Sequence, residues 1–540
     1  MTAAQDAGRP VFTQPLTDAQ LATFTGGPTG TLSGVSFAMK DNIDLAGLPT
    51  TGGCPLLEQS APAISSATVV QRLLDAGALP VGKTNMDQFA TGLVGSRSPY
   101  GRCSSVFDST RISGGSSSGS AVAVASGIVP LALGTDTAGS GRVPAAFNGL
   151  VGMKPTRGIV STTGVMPACR SLDVVTTLTR TVSEAREALA VMAFDDGDAW
   201  SRPVPALPPP LVAARMQVVA VPDGPLDLDP EHRSAWEAAV ARLATVVPHV
   251  VRVDVTAFLL AAKLLYEGPW VAERYAAFGH LLEPDGPHLD PVVRKIVLGG
   301  KDLLASDAFR GADRLAELRR LTEPLWLDVD ALMLPVTPGH PTHAELDADP
   351  FGVNARMGTY TNFVNLLDLA AIAVPAGTRP DGLPFGVQFV SPAFSDRPLL
   401  DLGSSWCGEP SAVPTSRVEI AVVGAHLSGL PLNGQLLGLG GRLARRGRTA
   451  PSYRMVRLPG DGPPRPALLQ GGSGSFPMEV WDLPAQGVGQ LADAVPAPLG
   501  LGRVSLADGR HVLGFVCADG GADGGQDVSV AGGWRAALER

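Results

Sequence analysis

The sequence predicts an α/β fold with a mostly covered sheet, in a chain divided into two domains. Helical segments alternate repeatedly with short apolar strands, which is typical of such a fold. Apolar residues make up 45% of the chain, enough for a substantial core, and 540 residues exceed the usual size of one domain. The formal net charge of −9 gives no electrostatic reason to bind nucleic acid or an anionic membrane.

The alternation of helices and strands begins with a helix-prone segment at 17–24 and a strand at 32–40. Further helices and strands follow, with apolar residues at the spacing of each element. The predicted helices are 68–78, 118–127, 230–246 and 302–327, and the predicted strands are 79–84, 129–136, 216–222, 330–338 and 381–390, the last as part of a closing hairpin.

The composition changes near Gly408–Arg417. A new strand at 418–429 then begins a region with many glycines and short strand candidates. We therefore predict an α/β domain at 1–415 and a second domain at 416–540, which is long enough to fold alone.

The cysteines and the N-terminal residues bear on localisation. No two cysteines have a C-x-x-C spacing, which predicts a reduced, cytoplasmic protein without a structural zinc site. The first ten residues lack the basic and apolar regions of a signal peptide, and the most apolar stretch, 121–134, is too short to span a bilayer. The five cysteines are Cys54, Cys103, Cys169, Cys407 and Cys517.

Two glycine-rich loops that contain serines are the most informative features of the sequence. They are GGSSSGS, with Ser116, and GTDTAGSGR, with Ser140, and a lysine, Lys40, lies upstream in AMKDNID. No histidine occurs before His232, so hydrolytic chemistry in the first third would proceed without an imidazole. A lysine can deprotonate a serine when burial lowers its pKa. The pattern predicts a serine hydrolase with a lysine base.

The local sequence leaves alternatives for both groups. Ser117 lies in a G-x-S-x-G string, the nucleophile elbow of other hydrolases, but the segment before it is polar where an elbow needs an apolar strand. Lys83 has surroundings similar to those of Lys40, and nothing local separates the two.

The second loop has the composition of an oxyanion-binding turn. Successive backbone N–H groups of Thr137, Ala138, Gly139 and Ser140 would surround a small concavity suited to a negative oxygen. A phosphate-binding turn is the alternative, but the P-loop string is absent and Arg142 is the only nearby cation in the sequence.

Together with AMKDNID and GMKPTRG, these loops resemble the amidase signature hydrolases over about residues 30–400. The resemblance implies a mixed central sheet covered by helices, and catalysis without a cofactor or a metal. It implies that Ser140 is the nucleophile, that Ser116, preceded by a cis peptide, is a bridging serine, and that Lys40 rather than Lys83 is the base.

Segments 164–173 and 358–375 and the whole tail resemble a branch of this family, the allophanate hydrolases. The resemblance implies release of ammonia from allophanate (urea-1-carboxylate), carbon dioxide after decarboxylation, and a small α+β C-terminal domain. It also implies that Tyr266 and Arg274 hold the substrate carboxylate. Their spacing of eight predicts one face of one helix.

Further expectations follow from the resemblance. We expect a homodimer that associates with a urea carboxylase or triazine-degrading enzymes. The net charge of −9 predicts no nucleic acid or membrane partner. The alternatives are an amidase for other small carboxamides, including the catalytic component of a tRNA-dependent amidotransferase, and a scaffolding role for the C-terminal domain.

Histidines elsewhere in the chain provide further candidate residues. Gly434 stands where some relatives have histidine, which leaves the activity of the tail open, with His426 and His511 as substitutes in principle. His340 and His343 form an H-P-T-H string, for which an exposed loop is favoured over a metal site.

Overall fold

The computed structural model describes residues 10–24, 30–202, 216–409, 417–439, 441–460, 464–518 and 520–539. Contacts between backbone positions divide these residues into two units, one up to residue 409 and one from residue 417. The α/β class predicted for the first unit and the smaller sheets of the second are both observed. In the described residues, no helix is long and apolar enough to cross a membrane.

The first unit is built on an eleven-stranded mixed sheet. The strand order is β1-β3-β2-β4-β6-β5-β10-β11-β9-β7-β8. The strands are β1 Phe12–Pro15, β2 Ser36–Lys40, β3 Leu79–Thr84, β4 Leu131–Asp136, β5 Val151–Lys154, β6 Val174–Thr179, β7 Val218–Pro222, β8 His249–Val253, β9 Ala331–Pro335, β10 Leu369–Thr378 and β11 Pro384–Pro392.

Helices cover both faces of this sheet. They are α1 Asp18–Phe24, α2 Thr68–Asp75, α3 Ser118–Ala125, α4 Arg142–Phe147, α5 Val182–Met192, α6 Pro230–Leu243, α7 Thr256–Glu267, α8 Trp270–Leu282, α9 Pro291–Leu298, α10 Ala305–Thr322, α11 His343–Ala348, α12 Gly352–Met357, α13 Asn362–Leu366 and α14 Asp396–Cys407. The predicted helix at 302–327 is shorter than expected, because Pro324 lies in a 3₁₀ turn that follows α10.

The two faces of the central strands pack against different helices. Phe37 and Met39 of β2 point into an apolar core shared with α2, α5 and α14. Ala38 points to the opposite face, where it packs with α3. Because side chains alternate along a strand, Lys40 lies on the same face as Ala38. Strand β2 is parallel to β4, so their carboxyl ends meet at one edge of the sheet.

The second unit has a five-stranded and a three-stranded sheet around its own apolar core. Its strands are β12 Arg417–Val422, β13 Arg442–Arg448, β14 Tyr453–Arg457, β15 Pro466–Gln470, β16 Pro477–Pro484, β17 Leu499–Ser505, β18 His511–Cys517 and β19 Gln526–Asp527. Its helices are α15 Asn433–Gly438, α16 Ala485–Ala494 and α17 Trp534–Leu538. The predicted strand at 418–429 is therefore shorter, and ends at Val422.

A buried ion pair connects β4 to α4. The Arg142 guanidinium donates to both carboxylate oxygens of Asp136 at 2.9 Å, and both side chains are fully buried. Arg142 also donates to Gln388 Oε1 on β11 and to Asn365 Oδ1 on α13, at 2.8 and 3.1 Å. Burial opposes ionisation of Asp136, but Arg142 outweighs it and holds the pKa of this carboxyl below its usual value.

We predict that Arg142→Leu destabilises the first unit by about 3–5 kcal/mol, because Asp136 is left as a buried charge without its partner. The measurement is the free energy of unfolding of the first unit in urea. Arg314→Leu removes an ion pair with Glu317 whose side chains are 47% and 63% exposed, and it should change stability by less than about 0.5 kcal/mol. Equal effects of the two substitutions would contradict the structural role of Arg142.

Candidate active site

Lys40 lies at the carboxyl end of β2, buried beside both serine-bearing loops. Its Nζ is 2.7 Å from Ser116 Oγ and 2.7 Å from Thr135 Oγ1, and Asn42 donates to the same threonine at 3.3 Å. Burial lowers the pKa of Lys40 to about 7, an effect that the carboxylates of Asp87, Asp173 and Asp136 partly oppose. A substantial fraction of this amine is therefore neutral near pH 7, which a general base requires.

The competing lysine, Lys83, has different surroundings. It pairs in register with Met39 and so lies on the other face of the sheet from Lys40. Its Nζ is 3.2 Å from Asp41 Oδ1 and donates to Pro49 O and Thr50 Oγ1 at 2.9 and 2.6 Å. Lys83 thus belongs to a buried ion pair and has no serine among these partners.

Ser116 lies in the loop that leads into α3, and a cis peptide joins it to Gly115. The Asp87 N–H donates to the Ser116 carbonyl at 3.1 Å, and the Asp87 carboxylate accepts N–H groups of Gly95 and Arg97 at 3.0 and 2.9 Å. A Cβ on Gly115 would lie 2.1 Å from Asp87 Oδ2, so only glycine fits there. Asp87 thus holds the backbone that presents the Ser116 hydroxyl.

Ser117 serves to anchor the first loop. Its hydroxyl donates to the Thr135 carbonyl at 3.2 Å and accepts the Thr135 N–H at 3.3 Å. Both functions of the hydroxyl therefore engage the backbone of β4, which argues against an elbow nucleophile.

The second loop, residues 137–141, spans the gap between β4 and α4. The Ser140 hydroxyl lies 3.4 Å from the Gly92 carbonyl, and the Ser140 carbonyl accepts the Ser117 N–H at 3.3 Å. In the described part of the chain, the N–H groups of Thr137 through Ser140 make no hydrogen bond. These donors are therefore free to bind a negative oxygen near Ser140.

Asp173, which the sequence did not single out, supports this loop. It accepts the Thr137 hydroxyl at 2.5 Å and the N–H groups of Ala168 and Cys169 at 2.8 and 3.0 Å. Burial raises the pKa of Asp173 to about 6, against the lowering effects of these bonds and of Arg274.

The sequence also did not single out Thr135, which contacts Lys40, although Thr135 lies in the GTDTAGSGR segment, one residue before the end of β4.

The expectation that Tyr266 and Arg274 share one helix is wrong. Helix α7 ends at Glu267, and α8 begins at Trp270 after Gly268 and Pro269. The two side chains nevertheless meet, with the guanidinium carbon 6.0 Å from the Tyr266 ring centroid. Proline interrupts the helix, and packing of α7 against α8 restores the contact.

Arg274 is only 2% exposed, and its Nη1 donates to Thr91 Oγ1 at 3.1 Å and to the Ala90 carbonyl at 3.4 Å. No carboxylate forms an ion pair with it in the described residues. A buried guanidinium without such a partner is suited to an anionic ligand.

The expectation of an exposed H-P-T-H loop is wrong for His340. This side chain is 2% exposed, stacks on Phe147 at 3.9 Å between centroids, and bonds through Nε2 to the Ile112 carbonyl at 2.9 Å. His343 is half-buried against Ser104 Oγ, at 3.0 Å. Across the described ranges, no group of three or more histidine, cysteine and acidic side chains is placed to hold a metal ion.

In the second unit, His426 stacks on Phe515 at 4.6 Å, and its Nε2 lies 3.0 Å from Gln435 Oε1. Gln435 follows Gly434 in α15, so His426 lies beside the turn that contains this glycine. His511 bonds to Ser505 Oγ at 3.0 Å on an exposed strand pair. Burial lowers the pKa of His426, which favours a neutral imidazole.

Two family models match the chain. The model described as Amidase matches residues 12–400, and the model described as Allophanate hydrolase C-terminal domain matches residues 418–539. These ranges correspond to the two units of the structure.

Similar proteins share both units. The urea amidolyase of Lachancea kluyveri is 42% identical over 93% of this chain, and that of Saccharomyces cerevisiae is 41% identical over 94%. The chain spans only 29% and 30% of the length of these two proteins.

A crystal structure of Kluyveromyces lactis allophanate hydrolase is 40% identical, with a TM-score of 0.69, over 94% of this chain and 88% of that one. A glutamyl-tRNA(Gln) amidotransferase component of Natronomonas pharaonis is 36% identical, over 70% of this chain and 96% of that protein. The fold, the serine-bearing loops and the match over residues 12–400 therefore establish that the chain belongs to the amidase family of amidohydrolases.

Proposed function

We propose that this chain hydrolyses allophanate, releasing ammonia, by a Ser-Ser-Lys mechanism. The observation that carries the chemistry is the 2.7 Å contact between the buried Lys40 amine and Ser116, beside the Ser140 loop. The buried Arg274 and the similarity of both units to Kluyveromyces lactis allophanate hydrolase support the choice of substrate.

In the proposed reaction, the Ser140 oxygen attacks the carbonyl carbon of the terminal amide. Its proton passes to Ser116, and the Ser116 proton passes to neutral Lys40. The N–H groups of residues 137–140 stabilise the oxyanion. The carbon–nitrogen bond then breaks, and the proton returns through Ser116 to the leaving nitrogen, which departs as ammonia.

Water next hydrolyses the acyl-enzyme and regenerates the Ser140 hydroxyl. The product, N-carboxycarbamate, loses carbon dioxide either in solution or in the second unit, where the partly buried His426 is a candidate. Its neutral ring could take part in proton transfer, whereas Gly434 offers no such group.

We also propose that the protein is a cytoplasmic homodimer. It would act on allophanate formed either by a urea carboxylase or by triazine-degrading enzymes. Light scattering of the intact chain tests the dimer. Ammonia release from allophanate, compared with urea, biuret, malonamate and glutamine, tests the substrate. Preference for glutamine would favour the chemistry of the amidotransferase relatives instead.

We expect Ser140→Ala to abolish ammonia release with the fold intact, because the attacking oxygen is lost. Ser116→Ala should lose several orders of magnitude in kcat. Ser117→Ala is the matched control and should retain the reaction, because Ser117 only anchors backbone. More than a few per cent of activity in Ser140→Ala would refute the assignment of the nucleophile.

The lysine base predicts a specific pH profile. Because Lys40 must be neutral, kcat/KM should rise about tenfold per pH unit below pH 7 and level off above it. Lys40→Arg should be nearly inactive, since a guanidinium keeps its proton at any working pH. Lys301→Arg, at an exposed ion pair, is the control and should leave the profile unchanged. Substantial turnover by Lys40→Arg would exclude the lysine base.

Arg274→Leu should weaken transition-state binding of allophanate by about 2–4 kcal/mol, because the substrate carboxylate loses a charged hydrogen-bonding partner. The effect should appear mainly in KM, and Tyr266→Phe should act in the same direction but less strongly. The measurement is kcat/KM for allophanate divided by that for an uncharged amide. If Arg274→Leu leaves this quotient unchanged, the carboxylate binds elsewhere.

A further inference from the structure

Two consecutive residues at the beginning of α13 carry buried polar atoms that the fold does not use. Thr361 and Asn362 are 0% and 5% exposed. The Thr361 hydroxyl and the Asn362 side-chain carbonyl oxygen have no hydrogen-bond partner among the described residues. A buried polar group without a partner destabilises the fold, so two adjacent ones call for an explanation.

The Thr361 hydroxyl lies against the loop that contains Ser140. A Cβ built on Gly139 would be 2.4 Å from Thr361 Oγ1, and Gly139 has φ 139°, in the region that favours glycine. Glycine at this position therefore allows the hydroxyl to approach the proposed oxyanion loop closely. In the proposed mechanism the scissile carbonyl oxygen binds to this loop.

Asn362 contacts α7, the helix that carries Tyr266. Its amide nitrogen is 3.5 Å from the carbonyl oxygen of Ala262, which is one turn before Tyr266 in α7. The Thr361 hydroxyl is thus close to the oxyanion loop, and Asn362 contacts the helix that carries Tyr266. In allophanate, the group between the scissile carbonyl and the carboxylate is a single N–H.

We propose that Thr361 and Asn362 form a polar subsite that accepts this bridging N–H and so selects ureido substrates over those with a methylene at the same position. The inference rests on the proposed function, because it uses the positions assigned to Ser140 and Arg274. A hydroxyl and an amide oxygen are both acceptors and would share the single hydrogen of this N–H, whereas a CH₂ group supplies no hydrogen-bond donor. Sites built to hydrogen-bond a substrate discriminate strongly against analogues that lack the donor.

Allophanate and malonamate provide the test, because they differ only in N–H against CH₂ between the same amide and carboxylate. We would measure kcat/KM for allophanate and Ki for malonamate as a competing ligand, in wild type, Thr361→Val and Asn362→Leu. Each variant should lower kcat/KM for allophanate about 10-fold or more and change the Ki of malonamate less than about 2-fold. Thr361→Ser should restore most of the loss.

Thr177→Val is a matched control. The Thr177 hydroxyl is also buried and without a partner in the described residues, but it lies on β6 at the face opposite Lys40. This variant should alter neither constant, and Thr361→Val should keep the melting temperature of the wild type because no protein hydrogen bond is lost.

Each outcome is informative. Two results count against the subsite when the wild type is active: the Thr361 and Asn362 variants weaken kcat/KM for allophanate and Ki for malonamate by the same factor, or they change neither constant. Either result would overturn the subsite and leave the proposed function intact. A wild type that releases no ammonia from allophanate would instead refute the proposed function.

Discussion

The site depends on the buried ion pair between Asp136 and Arg142. These residues flank the loop 137–141, so their two-point contact fixes both ends of the segment that carries Ser140. Arg142 also reaches β11 and α13 through Gln388 and Asn365, and the loop is therefore held in position relative to three elements. Donors held in this way do not have to reorganise when charge develops on a substrate oxygen, which is the physical basis of oxyanion stabilisation.

Lys40, the proposed base, and Lys83 are two buried lysines with different surroundings. Burial lowers the pKa of both amines. Lys83 has the Asp41 carboxylate at 3.2 Å, which stabilises the charged form, whereas Lys40 contacts hydroxyl groups and has its carboxylates further away. The carboxylates near Lys40 only partly offset the lowering of its pKa by burial, so the amine can take up and release a proton near neutral pH.

Much of the fold and part of the site could be predicted from the sequence. Strands β2 and β4 and helix α3 have local patterns that require no long-range information. The choice between Lys40 and Lys83 depends on which face of the sheet each occupies, and the local sequence does not show this. The spacing of Tyr266 and Arg274 predicts one helix, but two helices packed against each other bring the same side chains into contact. The spacing alone does not distinguish these two arrangements. The burial of His340 depends on Phe147, almost two hundred residues earlier in the chain.

Thr361 and Asn362 illustrate a different limit. By sequence they are ordinary polar residues at the beginning of a short helix, and no spacing rule connects them with Gly139 or Tyr266. Their significance appears only when the folded chain leaves their oxygens buried and unpaired, at a cost in stability. The side chain of Asn365, one turn later, is by contrast hydrogen-bonded: it donates to the carbonyl groups of Asp136 and Leu172 at 2.8 and 3.1 Å. What distinguishes them from the equally unpaired Thr177 hydroxyl is their contacts with the Ser140 loop and with α7, which is why we assign their missing hydrogen bond to a ligand.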